Sequence, residues 1–164
     1  METLLGDITI LMIDDDRYMR NIVKSMLSAF PTVSFLEAAN APAGWDLYCH
    51  AAPDIILVDW EMPKINGLQF IRRVRQAAGS PRPATPIILM TGHANPNLIA
   101  KARDAGTHQI LGKPVSAEAL FSTITATLNK DVPFIRSKTY IGPDRRRPMR
   151  RPPYNGPDRR KTSS

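Results

Sequence analysis

Short apolar runs alternate with longer amphipathic stretches over residues 7–130, and this alternation restricts the chain to a few folds. Each run has the length of a strand buried on both faces, and each longer stretch repeats its apolar residues every three or four positions, as a helix does. Strands in alternation with helices predict repeated βα units around a parallel sheet. The predicted strands are 7–13, 33–36, 55–58, 87–90 and 108–111, and the predicted helices are 16–30, 41–51, 68–74, 96–106 and 117–128.

The predicted fold class is therefore α/β, with a doubly wound five-stranded parallel sheet and five helices. Right-handed crossovers leave few topologies for such a sheet, and we expect the strand order 2-1-3-4-5 of flavodoxin-like folds. Functional residues of these folds lie at the carboxyl ends of the strands. The residues at those ends are therefore the candidates for a site.

Polar side chains occupy four of the predicted strand ends. The first strand ends in Asp14-Asp15-Asp16, the third in Asp59, the fourth in Thr91 and the fifth in Gly112-Lys113-Pro114. Carboxylates crowded into one pocket repel each other unless a cation neutralises them, and a few hard oxygen ligands with room for water suit Mg²⁺. A metal with a lysine and a hydroxyl opposite suits a phosphoryl group, whose oxygens need positive charge and donors on several sides.

Taken together, these elements resemble the receiver domain of two-component response regulators, in order and spacing as well as in residue type. The resemblance covers about residues 5–130. The matching segments are Leu11-Met12-Ile13-Asp14-Asp15-Asp16, Asp59-Trp60-Glu61-Met62-Pro63 with Gly67, Met90-Thr91-Gly92 and Gly112-Lys113-Pro114.

The resemblance implies a role for each matched residue. Asp59 is the expected phosphoacceptor, supplied by a histidine kinase or a histidine phosphotransfer protein. The expected Mg²⁺ ligands are Asp14, Asp15, Asp59 and the backbone carbonyl of Glu61. Thr91 and Lys113 are expected to bind phosphoryl oxygens, and the Lys113–Pro114 peptide bond is expected to be cis. Asp16 begins the first helix, where the helix dipole favours a carboxylate.

The sequence departs from the family pattern at one informative position. Ile110 stands where many receivers have Tyr or Phe on the fifth strand, so we do not expect the usual switch in which an aromatic hydroxyl is buried or exposed. Glu61 and His93 each lie two residues after a site residue and are expected to flank the water that attacks the acyl phosphate. An exposed loop histidine is the simpler interpretation of His93.

Two other interpretations of residues 1–130 remain open. Each motif alone is common at an ordinary turn, strand end or helix cap, and only their combination favours a phosphoacceptor. Phosphatases of the haloacid-dehalogenase type also use an aspartyl nucleophile on a doubly wound sheet, with a second Asp two residues later, as in Asp14-x-Asp16. That alternative leaves Asp59 without a role, and the chain lacks the length for a cap domain.

The excess positive charge is confined to residues 131–164, which places a domain boundary near Lys130. Residues 1–130 hold 12 basic and 12 acidic side chains, whereas residues 131–164 hold 10 basic and 3 acidic ones, which accounts for the net charge of +7. We therefore expect a receiver domain at 1–130 and a Pro/Arg-rich tail at 131–164. Low apolar content and high charge predict that the tail is disordered.

The tail contains the same short word twice. Tyr140-Ile141-Gly142-Pro143-Asp144-Arg145-Arg146-Arg147 recurs as Tyr154-Asn155-Gly156-Pro157-Asp158-Arg159-Arg160-Lys161. Aromatic side chains beside arginines are typical of binding hot spots, and we expect a downstream protein partner that gains avidity from the two copies. Nucleic acid or an acidic surface is the alternative target, with the receiver fold as a platform.

The remaining features favour a signalling protein of the cytoplasm over an enzyme. The single cysteine, Cys49, excludes an internal disulfide and a cysteine metal cluster. No apolar run has the length of a membrane span, and residues 1–7 lack the features of a secretory signal. The expected activity is limited to self-catalysed phosphorylation and dephosphorylation.

Overall fold

A computed structural model describes residues 6–129 and 132–145 of the chain. Its main sheet has five parallel strands in the order β2-β1-β3-β4-β5, as the sequence predicts. The strands are β1 (Ile8–Ile13), β2 (Val33–Ala38), β3 (Ile55–Asp59), β4 (Ile87–Thr91) and β5 (Gln109–Gly112), and the helices are α1 (Arg17–Leu27), α2 (Ala41–Ala51), α3 (Gly67–Gln76), α4 (Pro96–Ala105) and α5 (Ala117–Asn129).

Side-chain caps set where several helices begin. The Asp16 carboxylate accepts a hydrogen bond from the Tyr18 N–H at the start of α1. Asn66 and Gln69 form a reciprocal capping box at α3, and Asn95 caps α4, with Pro96 in its first turn. These polar side chains satisfy backbone N–H groups that have no partner within a helix. The starts of these helices could therefore be predicted closely from the sequence.

Two apolar clusters, one on each face of the sheet, hold the helices against it. Strands β3 and β4 are buried along their whole length. One face packs against α2, α3 and α4 through side chains such as Tyr48, Phe70 and Leu98. The other packs against α1 and α5 through Val23, Leu27 and Leu120, among others. Burial on both faces explains the continuous apolar runs of the central strands.

The strand order brings the carboxyl ends of β1 and β3 together. Ile13 of β1 pairs with Val58 of β3, and Asp59 pairs with Met90 of β4. The connections leave β1 and β3 toward opposite directions in the sheet, which opens a crevice where binding sites of such folds occur. The residues that follow β1, β3, β4 and β5 consequently share one rim.

The expectation that the chain beyond residue 130 has no structure does not hold for residues 132–145. Here β6 (Phe134–Arg136) pairs with antiparallel β7 (Ile141–Pro143). The hairpin is stabilised by contact with the domain, because Gly142 and Pro143 are buried against it. Tertiary contacts of this kind override a local preference for disorder. Residues 146–164, with the second copy of the repeated word, lie outside the described residues.

No helix within the described residues is both long and apolar enough to cross a bilayer.

Candidate functional site

Asp14, directly after β1, has its carboxylate fully buried. Its Oδ1 accepts a hydrogen bond from the Asp16 N–H at 2.9 Å, and its Oδ2 accepts one from Lys113 Nζ, also at 2.9 Å. Arg20 donates to the Asp14 carbonyl oxygen at 2.7 Å. Since a buried carboxylate is costly without such partners, this side chain is held in one orientation.

Asp59 and Lys113 form the second half of the same cluster. Asp59 ends β3 with 6% of its surface exposed, and its Oδ1 lies 2.9 Å from Lys113 Nζ. Lys113 follows β5, where its N–H donates to the Thr91 carbonyl at 2.7 Å and its peptide bond to Pro114 is cis. One ammonium therefore bridges two aspartates that lie far apart in the chain. We call Asp14, Asp15, Asp59 and Lys113 the acidic rim.

The acidic rim has the composition of a magnesium site. One carboxylate oxygen from each of Asp14, Asp15 and Asp59 lies within 4.8 Å of the other two. Asp15 is exposed, so water can reach this side of the cluster. Three carboxylates against one ammonium leave two negative charges uncompensated, which a divalent cation with hard oxygen ligands would neutralise. The residues present thus fit Mg²⁺.

Burial and charge shift the pKa values of the two central groups. The pKa of Asp59 is raised to about 6, mainly by burial and to a smaller extent by the negative charge of Asp14, against the lowering effect of the hydrogen bond from Lys113. Burial alone lowers the pKa of Lys113, but its hydrogen bonds to Asp59 and Asp14 outweigh this, so that its pKa is raised. Near neutral pH, Lys113 is therefore charged and Asp59 is mostly ionised.

Thr91, at the end of β4, and Glu61, in the loop after β3, lie beside this cluster. Thr91 ends β4 with 2% of its surface exposed, and its Oγ1 accepts a hydrogen bond from the His93 N–H at 3.2 Å. Glu61 is exposed two residues after Asp59. Glu61 and His93 line a cavity of about 160 Å³ together with Trp60 and Lys101. Both side chains thus border one space next to the acidic rim.

Ile110, the position of the family's aromatic switch residue, is half-buried on β5. It packs against the cluster formed with α2, α3 and α4 and lines a second cavity of about 480 Å³ between α4, β5 and the hairpin. A side chain there has space to repack. An isoleucine cannot, however, bury or expose a hydroxyl group.

A second polar cluster, which sequence reasoning missed, lies at the amino ends of β4 and β5. Arg75 is fully buried, and its guanidinium donates to the carbonyl oxygens of Gly106 (3.0 and 2.9 Å), Pro83 (2.6 Å) and Thr85 (2.8 Å). His108 Nδ1 lies 3.1 Å from Arg75 Nη2 and accepts a hydrogen bond from the Ile87 N–H at 3.2 Å. We call Arg75, Thr85, Gly106 and His108 the Arg75 cluster.

His108 therefore has two hydrogen-bonding neighbours, Arg75 and the Ile87 N–H. Burial and the neighbouring Arg75 charge lower the pKa of His108 to about 3, and burial lowers the pKa of Arg75 to about 10. A signal did exist in the sequence, because Arg75 follows Leu68 and Ile71 at helical spacing and thus lies on the apolar face of α3. Nothing in the sequence pattern pairs that face with His108.

The fold and the acidic rim together define an aspartate-centred receiver, and comparison with known proteins agrees. Residues 10–125 match the model of the response regulator receiver domain family. The chain belongs to this family.

Individual relatives cover nearly the same part of the chain. Chemotaxis protein CheY1 of Helicobacter pylori is 30% identical over 120 residues, which are 73% of this chain and 95% of that protein. The CheY homologue of Campylobacter jejuni is 30% identical over 68% of this chain and 85% of its own length. The crystal structure of Vibrio cholerae CheY4 superposes with a TM-score of 0.69 at 25% identity, covering 75% of this chain and all of that one.

Proposed function

We propose that this protein is a phosphoacceptor in a two-component phosphorelay, phosphorylated on Asp59 in the presence of Mg²⁺. One observation carries the proposal: Lys113 Nζ lies 2.9 Å from both Asp59 and Asp14, in a cluster of three carboxylates. Such an arrangement is costly for stability alone, because two negative charges stay uncompensated. It is useful where a cation and a phosphoryl group enter together.

The reaction is attack by a carboxylate oxygen of Asp59 on phosphorus. The bond from phosphorus to the donor breaks as the new phosphorus–oxygen bond forms, and the leaving group departs opposite Asp59. Lys113 is placed to exchange its contact with Asp59 for one with a phosphoryl oxygen, and the Thr91 hydroxyl is a second donor. A Mg²⁺ held by Asp14, Asp15, Asp59 and the Glu61 carbonyl would supply further positive charge to the phosphoryl oxygens.

Asp59 is better suited to the nucleophilic role than Asp14. Both oxygens of Asp14 already accept hydrogen bonds and the side chain is fully buried, whereas Asp59 keeps a small exposed surface. Asp16 is engaged as the cap of α1, with its Oδ1 2.9 Å from the Tyr18 N–H. These contacts favour the receiver mechanism over a phosphatase that would use the Asp14-x-Asp16 pair.

The expected phosphoryl donor is a histidine kinase or a histidine phosphotransfer protein, and the output is expected to pass through contact with a downstream protein. Receivers of this family act in the cytoplasm and catalyse their own dephosphorylation. We infer the same for this chain from its family membership and from the acidic rim. Glu61 and His93 border the cavity through which a hydrolytic water can approach.

The test is incubation with Mg²⁺ and acetyl phosphate, followed by intact mass measurement. The wild-type chain should gain one phosphoryl group that mild base removes, and Asp59→Asn should gain none. Asp46→Asn on the exposed face of α2 is the matched control and should behave as wild type. An adduct that persists in Asp59→Asn, or one that maps to Asp14, would contradict the proposal.

A further inference from the structure

The first copy of the repeated word packs its backbone directly on the end of α4. Gly106 ends this helix with a left-handed φ of 98°. A Cβ on Gly106 would lie 2.7 Å from the Ile141 carbonyl oxygen, and a Cβ on Gly142 would lie 2.8 Å from the Gly106 Cα. Both positions must therefore be glycine for the two segments to approach this closely.

Side chains of the word complete the contact. Arg145 Nη1 lies 2.6 Å from Asp104 Oδ1, and its guanidinium carbon lies 4.0 Å from the centre of the Tyr140 ring. The Tyr140 hydroxyl donates to the Pro143 carbonyl at 2.8 Å. The Arg145 side chain thus reaches the domain, and the contacts of Tyr140 with Pro143 and Arg145 hold the word in its own conformation. We call the surface formed by Asp104 and Gly106 the docking site. Arg75 lies beneath it and donates hydrogen bonds to the Gly106 carbonyl.

The second copy retains the residues that the docking site contacts. Tyr154, Gly156, Pro157 and Arg159 repeat Tyr140, Gly142, Pro143 and Arg145 at the same spacing, and Asp158 repeats Asp144. Within residues 140–145, only Ile141 differs, being replaced by Asn155. The close approach recorded for Ile141 is made by its backbone carbonyl, which Asn155 also has.

We propose that the docking site is a binding site for the peptide sequence Tyr-Xaa-Gly-Pro-Asp-Arg, and that residues 154–159 of the same chain are its second ligand. The two copies compete, because one site cannot hold both. While one copy is docked, the other remains available to a partner.

Chain connectivity makes this exchange feasible within one molecule. Both Tyr140 and Tyr154 follow Asn129, where α5 ends, and the connection to Tyr154 is the longer of the two. The longer loop lowers the occupancy of the second copy by about threefold relative to the first, if the contacts are equal. The first copy also gains its pairing with β6 and the contact of Phe134 with Arg75, at 5.4 Å. The second copy should therefore dock when the first is prevented from doing so.

Hydrogen exchange of the full-length chain tests the proposal with matched glycine variants. Gly142→Val removes the first copy from the site by steric conflict with the Tyr140 ring and with Gly106, and Gly142→Val/Gly156→Val is designed to remove both copies. The domain stays folded in these variants, since neither buried cluster includes a hairpin residue. Gly79→Val is the control, because a Cβ at Gly79 meets no atom within 4 Å.

Protection of the backbone amides of residues 103–109 is the readout. We expect Gly142→Val to keep most of this protection, because residues 154–159 take the site, and the double variant to lose about tenfold. Gly156→Val alone should match wild type. Equal loss in Gly142→Val and in the double variant would overturn the proposal. Protection in Gly142→Val that rises with protein concentration would show docking between molecules and overturn the same-chain assignment.

A synthetic peptide gives an independent measurement. A fluorescent peptide of residues 152–161 should bind the double variant and should bind the wild-type chain at least about tenfold more weakly, because the first copy occupies the site at high effective concentration. The same peptide with alanine at the tyrosine position is the control. No binding to a folded double variant, or equal binding of the control peptide, would refute the docking site.

Discussion

The acidic rim and the Arg75 cluster are two polar clusters at opposite ends of the same sheet, and each contains a fully buried charged side chain. In the Arg75 cluster, the guanidinium donates to three carbonyl oxygens and contacts a neutral histidine. In the acidic rim, three carboxylates lie close together, and one ammonium contacts two of them. The single charge of the first group is fully hydrogen-bonded, whereas the second group keeps more negative charge than its one ammonium compensates.

This difference separates a structural role from a functional one. A buried charge with a full set of hydrogen bonds stabilises one conformation and has no capacity for a ligand. A buried charge without its full set costs stability, and that cost is recovered when a ligand binds. The two clusters should consequently respond in opposite ways to neutralising substitutions and to pH.

The largest effect is expected at Arg75. Arg75→Met should destabilise the protein by about 3 kcal/mol, because the buried Gly106 and Thr85 carbonyls lose their donors. Chemical denaturation at pH 7 measures this, with Arg72→Met on the exposed side of α3 as the control. The fraction that stays folded should still be phosphorylated on Asp59. A stability unchanged from wild type would show that the cluster is not structural.

Acid should weaken the Arg75 cluster through His108. Its pKa is about 3 in the folded chain and about 6.5 when unfolded, so that protons bind the unfolded state more readily and stability falls as pH drops below 6.5. Protonation of His108 should therefore lower the free energy of unfolding by about 2 kcal/mol between pH 7 and pH 5.

The measurement compares the slope of unfolding free energy against pH between 7 and 5. His108→Gln should have a flatter slope than wild type, whatever its stability at pH 7. Arg72→Met, at an exposed position of α3, should keep the wild-type slope, because an arginine stays charged throughout this pH range. Equal slopes in all three proteins would contradict the assignment of a neutral buried His108.

Asp59 should behave in the opposite way. Its pKa of about 6 in the folded chain exceeds the unfolded value of about 3.9, so stability falls as pH rises from about 4 to 6. Asp59→Asn removes the charge and should stabilise the metal-free protein at pH 7 by about 1–2 kcal/mol. The gain should disappear near pH 4, where the wild-type side chain is protonated. A destabilised Asp59→Asn at pH 7 would argue against uncompensated charge in the acidic rim.

Mg²⁺ should produce the smallest effect and should act on the acidic rim alone. At about ten times its dissociation constant, the ion should stabilise wild type by about 1.4 kcal/mol. Thermal unfolding with and without Mg²⁺ measures this, with Na⁺ at equal ionic strength as the control for screening. Arg72→Met should respond as wild type, and Asp59→Asn should respond less. A response of equal size in Asp59→Asn would remove Asp59 from the ligand set.

The sheet and the acidic rim could be predicted because each depends on local signals. The apolar runs of β3 and β4 are buried along their length, as their composition indicates, and Asn66 and Asn95 mark helix starts. Once the strand order is given, the ends of β1, β3, β4 and β5 must meet. Asp14, Asp59, Thr91 and Lys113 could therefore be grouped from the sequence, and their individual roles remain proposals.

The Arg75 cluster and the hairpin could not be predicted, because they depend on contacts between segments that no local pattern connects. An arginine on the apolar face of α3 is acceptable only because loop carbonyls before β4 and β5 converge on it. Residues 132–145 form a hairpin of only two three-residue strands, and the close packing of Gly142 on Gly106 holds this hairpin against the domain.

By itself, the sequence determined the alternating elements, the topology and the residues along one rim of the sheet, because periodicity and strand ends are local properties of the chain. Only the tertiary structure decided which buried charges are satisfied and where the first copy of the repeated word packs. Both outcomes depend on a few hydrogen bonds and on close backbone approach at Gly106 and Gly142, which are formed only after the domain has folded.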